Sequence, residues 1–224
     1  MLIDIPNILD PNALAAVRSV LQQGQFVDGK LTAGETAKHY KNNQELNSAD
    51  KDRYEALNNV VMTQLVQHPL YLQAASPAKI SLPIYARYTS GMEYGQHIDD
   101  PIMGGPQSQY RADIAITVFL SEADEYEGGA LCINTAFGTQ EIKLPAGHAI
   151  IYPASSIHSI NPVTSGERLV AIAWVQSLIR SPEQRQILFQ LAEARKLLEN
   201  EKHGKAFQQV DNSYTNLFRM WAEL

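Results

Sequence analysis

Apolar positions recur with a helical period at the start of the chain. Leu14, Val17 and Leu21 share one face, Asp10 is placed to cap that helix, Pro11 suits its first position, and Gly24 follows its end. Residues 29–47 are polar and Gly-containing with no clear period, and read as a loop. From about Asp50 a second helix is expected, with Leu57, Val61 and Leu65 at four-residue steps until the break at His68-Pro69.

The period then shortens. Residues 80–88, 113–120, 130–134, 140–144, 148–152 and 168–175 form short β-rich runs divided by Gly, Pro, Ser and Asn. No segment of crossover-helix length separates them, which points to an antiparallel sandwich or barrel and away from a doubly wound parallel sheet. Helical signals return at Ser181-Pro182-Glu183-Gln184, an N-cap with Pro at the first position and Gln placed for a capping box. Ile187, Leu191, Ala194 and Leu198 give that helix an apolar stripe, and His203-Gly204 gives it a stop. A last short helix is expected near residues 214–221, carrying Leu217, Phe218 and Trp221. Its stripe is expected to pack on the core and also leaves room for a homo-oligomer contact. The pattern is a mainly β core with helical flanks.

Composition narrows the function classes. The 224 residues are 45% hydrophobic and 19% charged, with 18 Lys+Arg against 24 Asp+Glu and a net charge of −6. No basic block appears, so neither a nucleic-acid footprint nor a polybasic membrane patch is expected. The apolar runs are too short to span a membrane, and Met1 leads into Leu2-Ile3-Asp4-Ile5-Pro6 without a signal-peptide pattern. The single cysteine, Cys132, excludes an internal disulfide and a thiolate zinc site, and reads as a small core residue. These features suggest a cytoplasmic, globular protein.

Candidate chemistry gathers in the β region. If His97-Ile98-Asp99 is extended, the imidazole and carboxylate project from one face while Ile98 faces the other way. The same spacing also suits a surface ion pair. His158 follows a strand and a small-residue turn. Two histidines and one carboxylate match the facial triad of non-haem Fe(II), and zinc accepts the same ligands. Arg168, ten residues on, opens an apolar strand. It needs either an anion in the interior or a rim partner such as Glu167. Residues 100–110, rich in Gly and Pro, read as a lid at a pocket mouth or as an ordinary hairpin connection. Glu127-Gly128-Gly129 marks a turn where backbone crowds a neighbouring strand. His39, His68, His148 and His203 stand alone.

In combination these motifs resemble the Fe(II)- and 2-oxoglutarate-dependent dioxygenases of the prolyl-hydroxylase-like class, and specifically the bacterial PKHD-type hydroxylases. The resemblance runs through Tyr85-Ala86-Arg87-Tyr88, Tyr94-Gly95-Gln96-His97-Ile98-Asp99, Leu120-Ser121-Glu122, Glu127-Gly128-Gly129-Ala130-Leu131, Pro145-Ala146-Gly147-His148-Ala149, and His158 with Arg168. It implies a double-stranded β-helix, or jelly roll, over residues 78–178, packed by an N-terminal helical region (1–77) and followed by a C-terminal helical extension (179–224). It implies iron held by His97, Asp99 and His158, with Arg168 pairing with the far carboxylate of 2-oxoglutarate. Tyr88 matches, within a one-residue gap, a tyrosine that contacts the cosubstrate in relatives.

The implied activity is oxidative decarboxylation of 2-oxoglutarate with O2 to succinate and CO2, coupled to hydroxylation of a small-molecule or peptidyl substrate. Ascorbate is the expected auxiliary reductant. The rival readings are a non-catalytic jelly-roll or cupin-like module that binds a metal or small ligand, and a zinc hydrolase, for which no general base stands beside the triad.

Overall fold

The computed structural model describes residues 1–34, 37–202 and 204–224. Its first helix, α1 (Pro11–Gln22), starts where the Asp10 carboxylate accepts the amides of Asn12 and Ala13, and it buries Ala13, Val17 and Leu21. Asp50 caps α2 (Lys51–Gln67), which buries Leu57, Val61 and Leu65. His68-Pro69 is a junction and not an end. Pro69 opens a further helix, α3 (Pro69–Ala75), which stops at Ser76 with φ +42°.

Two antiparallel sheets make the core. The larger runs in the order Ile3–Ile5, Ala149–Pro153, Ile114–Phe119, Arg168–Ser177, Ile84–Tyr88, Gln44–Leu46, Phe26–Asp28, and Pro77–Ile80 also pairs with Arg168–Ser177. The smaller runs Gly138–Ile142, Leu131–Thr135, His158–Ile160, Glu93–His97, Lys41–Asn42. Alternation sorts the long Arg168–Ser177 strand into two faces. Leu169, Ala171 and Val175 pack outward with Val17, Leu21, Leu57 and Val61 of the helices. Val170, Ile172 and Trp174 face inward with Tyr88, Phe119 and Tyr152 toward Leu131, Ile133 and Ile160 of the smaller sheet. This is the double-stranded β-helix with N- and C-terminal helices.

The stretch 29–47 departs from its reading as a loop. It holds short 3-10 turns at Gly29–Leu31 and Ala37–His39 and two strands, Lys41–Asn42 and Gln44–Leu46, one in each sheet. Strands of two and three residues are too short to show alternation, and two of the three side chains they bury, Lys41 and Glu45, are charged, Leu46 being the third. Residues 80–88 likewise form two strands, Pro77–Ile80 and Ile84–Tyr88, parted at Leu82-Pro83. Gly128 (φ +69°) ends a short strand where a Cβ would lie 2.1 Å from the Pro162 carbonyl oxygen, the crowding the sequence suggested.

The C-terminal helices differ in detail. In α4 (Pro182–Leu197) the expected Ser181 cap forms, but the buried residues are Arg185 and Leu188, while Ile187 is 43% exposed. Arg185 donates from Nη1 to the carbonyls of Ile179 and Arg180, so a cation occupies what an apolar count treats as the polar face. The final helix, α5 (Lys205–Trp221), is longer than the expected 214–221 and buries none of its side chains fully. Its main packing partner is α4, and its end is tied by the Glu223 amide donating to Leu178. The expected stop at His203 lies outside the described residues. No helix among the described residues is long and apolar enough to cross a membrane.

Candidate active site

The strand Glu93–His97 pairs with His158–Ile160 so that His97 stands directly opposite His158. Ile98, 55% exposed, turns outward, and Asp99 returns inward just past the strand end. One ligand atom from each of His97, Asp99 and His158 lies within 4.8 Å of the others, and His158 Nε2 is 3.8 Å from Asp99 Oδ1. The alternative of a surface ion pair does not survive this burial, since the Asp99 side chain is only 8% exposed.

Local backbone sets the tautomers. His97 Nδ1–H donates to the Gly95 carbonyl (2.8 Å) and His158 Nδ1–H to the Ser156 carbonyl (3.0 Å), because a carbonyl only accepts. With each Nδ1 engaged by backbone, Nε2 is the ring atom left to take a metal. Burial, followed by the neighbouring His158, pushes His97 down to about 4, so its imidazole is neutral at neutral pH. Burial holds the Asp99 carboxyl above its usual range, with His158 pulling the other way, and Asp99 Oδ2 has no hydrogen-bond partner. Two imidazoles anchored through Nδ1 and a desolvated carboxylate fit a divalent cation, whose charge offsets the burial of the carboxylate. The Tyr94 ring stacks on His97 at 3.7 Å and limits its rotation.

Arg168 begins its strand at the inner face and is 1% exposed. Nε, Nη1 and Nη2 all lack a partner, while the rings of Tyr88 and Phe119 lie 5.1 and 5.6 Å from the guanidinium. The rim alternative fails here: Glu167, its side chain 45% exposed, pairs instead with Arg87 at 3.7 Å. A buried fork without an anion is costly, and a carboxylate is its natural complement. Tyr88 stands directly opposite Arg168, and burial pushes its phenol up to about 12, so it keeps its proton.

One cavity of about 480 Å³ joins these groups. The triad, Arg168 and Tyr88 all line it. At its mouth residues 100–110 form a hairpin with strands Ile102–Met103 and Tyr110–Arg111, and Ile102, Met103 and Tyr110 contribute to the wall.

Sequence reading missed the opposite wall. Lys41 and Glu45 form a buried ion pair at 2.5 Å, and Thr32 Oγ1 donates to Glu45 Oε2 at 2.6 Å. Lys41 belongs to the smaller sheet and Glu45 to the larger, so the pair clasps the open edge of the β-helix beside the cavity. Their four-residue spacing is a helical signal with no helix behind it. Trp174 and Tyr152 also line the cavity and were legible only as core. Cys132 is a buried strand residue, as expected. His39 is exposed and stands apart from the site.

The 2OG-Fe(II) oxygenase superfamily model matches residues 83–176, the stretch that carries the triad, Arg168 and Tyr88. The chain is 44% identical to a PKHD-type hydroxylase of Thioalkalivibrio sulfidiphilus and 43% identical to one of Acaryochloris marina, each alignment covering 100% of both chains. Among solved structures, a prolyl hydroxylase of Trichoplax adhaerens in complex with a hypoxia-inducible-factor peptide fragment shares the fold. Its TM-score is 0.55 at 16% identity, covering 84% of this chain and 86% of that one. Fold and sequence thus define a 2OG-Fe(II) oxygenase. Within that superfamily, the chain belongs to the PKHD-type hydroxylases.

Proposed function

We propose that His97, Asp99 and His158 hold one Fe(II) and that Arg168 and Tyr88 hold the far carboxylate of 2-oxoglutarate. The observation that carries this reading is the fully buried, unpartnered Arg168 guanidinium sharing one cavity with the three ligand side chains. A module that only binds a metal has no use for such an arginine. When bound, Fe(II) supplies the activation of O2 that couples decarboxylation of 2-oxoglutarate to hydroxylation: one oxygen atom enters succinate, the other the substrate, and CO2 leaves.

The chain's own residues do the rest. The backbone-anchored histidines keep their Nε2 atoms aimed at one point. Asp99 supplies the single negative charge among the three ligands. Arg168 and the protonated Tyr88 neutralise and orient the dianionic cosubstrate, and Phe119 and Tyr152 keep water from its buried end. The hairpin of residues 100–110, with exposed Leu82, Ile98 and Ile102 at the rim, receives a small molecule or a peptidyl side chain. Ascorbate restores Fe(II) after uncoupled cycles, the protein is cytoplasmic, and residues 1–77, 78–178 and 179–224 act as N-terminal region, catalytic core and extension.

The test is turnover without substrate. Purified protein given Fe(II), 2-oxoglutarate and O2 should consume O2 and release succinate and CO2 in equal amounts. Binding of Fe(II) with no succinate formed under any condition would instead support the non-catalytic module.

A further inference from the structure

Asn43 sits where the chain passes from the smaller sheet to the larger, between Lys41–Asn42 and Gln44–Leu46. It is 3% exposed and lines the cavity, yet neither Nδ2 nor Oδ1 has a hydrogen-bond partner. A primary amide left this way is costly, and a core without a use for it would carry an apolar residue.

The register identifies its neighbour. Gln44 and Glu45 stand opposite Arg87 and Ala86, and one further step along that antiparallel ladder brings Asn43 to Tyr88. Tyr88 in turn stands opposite Arg168. Asn43, Tyr88 and Arg168 therefore occupy one row across adjacent strands, and all three face the cavity. On the far side Asn43 abuts Gly29, whose amide donates to the Asn43 carbonyl at 2.9 Å. A Cβ at position 29 would lie 2.0 Å from Asn43 Oδ1, so any other residue there would displace the amide. The amide lies beside the Tyr88 hydroxyl, short of a well-aligned bond.

We propose that Asn43 is a positioning residue for the cosubstrate: its Nδ2–H donates to the Tyr88 oxygen and turns the phenol proton onto the 2-oxoglutarate carboxylate at Arg168. The inference rests on the assignment of Arg168 to that carboxylate. A phenol that donates its only proton to an anion has its oxygen free to accept, and a donor behind it strengthens the bond in front. Arg168 supplies the fork, Tyr88 a third donor, and Asn43 the orientation of that donor.

The experiment is a double-mutant cycle on 2-oxoglutarate affinity, measured calorimetrically with Mn(II) as the metal. Asn43→Ala and Tyr88→Phe should each weaken 2-oxoglutarate about tenfold, and the double variant should be no weaker than Tyr88→Phe alone. Gly29→Ala, which removes no polar group, should reproduce the Asn43→Ala loss in the presence of Tyr88 and none of it in Tyr88→Phe. Mn(II) affinity should be unchanged throughout. Unaltered affinity in Asn43→Ala, or losses that simply multiply in the double variant, would overturn the proposal. Arg168→Met separates this from the parent assignment: if that variant keeps full 2-oxoglutarate affinity, the carboxylate site itself is wrong, whereas a large loss there beside an inert Asn43→Ala condemns only the role of Asn43.

Discussion

His97 and His158 stand directly opposite each other on neighbouring antiparallel strands, ring centroids 4.2 Å apart. Each donates its Nδ1–H to the backbone carbonyl two residues upstream. The same local bond made twice fixes both tautomers and points both Nε2 atoms at one place beside Asp99. Because each ring has its own backbone anchor, removing one imidazole leaves the other in position.

His97→Ala should therefore fold normally and lose metal. The affinity for Fe(II), titrated without oxygen, should fall at least about 100-fold, since losing a ligand exceeds the usual cost of losing a group behind one. One equivalent bound at unchanged affinity would refute the ligand assignment.

Asp99→Asn should separate the cost of the carboxylate from its use. Burial raises the folded-state Asp99 above its ordinary value, so the charge opposes folding at neutral pH in metal-free protein, and that penalty lifts as the pH falls. The metal-free variant should melt at or above wild type. In wild type, free Mn(II) at 100 times its Kd should add about 2.7 kcal/mol, or roughly 5–10 °C in a domain of this size. Asp99→Asn should lose that gain, and a wild-type-sized metal shift in this variant would contradict the account.

The Lys41–Glu45 pair tests the clasp at the open edge. Glu45→Leu leaves the buried Lys41 ammonium without its carboxylate, and urea unfolding should register a loss of about 3–5 kcal/mol. Lys41→Met with Glu45→Leu removes both charges and should recover most of that stability. A double variant as unstable as the single would assign the loss to packing and not to charge.

The cap signal of α1 and the helical stripes of α1 and α2 were readable because Asp10 caps the first helix and one apolar face of each is buried; the Asp50 cap of α2 emerged only in the structure. The convergence of His97, Asp99, His158 and Arg168 on one cavity was readable because metal and anion chemistry restrict which residue types can serve, and His-x-Asp at an extended strand end puts both side chains on one face. Lys41, Asn43 and Glu45 were hidden for a physical reason: segments of two or three residues carry no period, and polar side chains buried in pairs look like surface. The stripe of α4 was displaced because Arg185 is buried by bonding two carbonyls, which no hydropathy pattern can register.

The most direct test of the central claim is a pair of titrations on Arg168→Met. Fe(II) or Mn(II) should bind as in wild type, because Arg168 is not among the ligands. 2-Oxoglutarate should bind at least about 30-fold more weakly, the lower end of what truncating one side of a buried charge pair costs. Arg168→Lys should fall between, keeping the charge and losing the fork. Unchanged 2-oxoglutarate affinity in Arg168→Met would contradict the account.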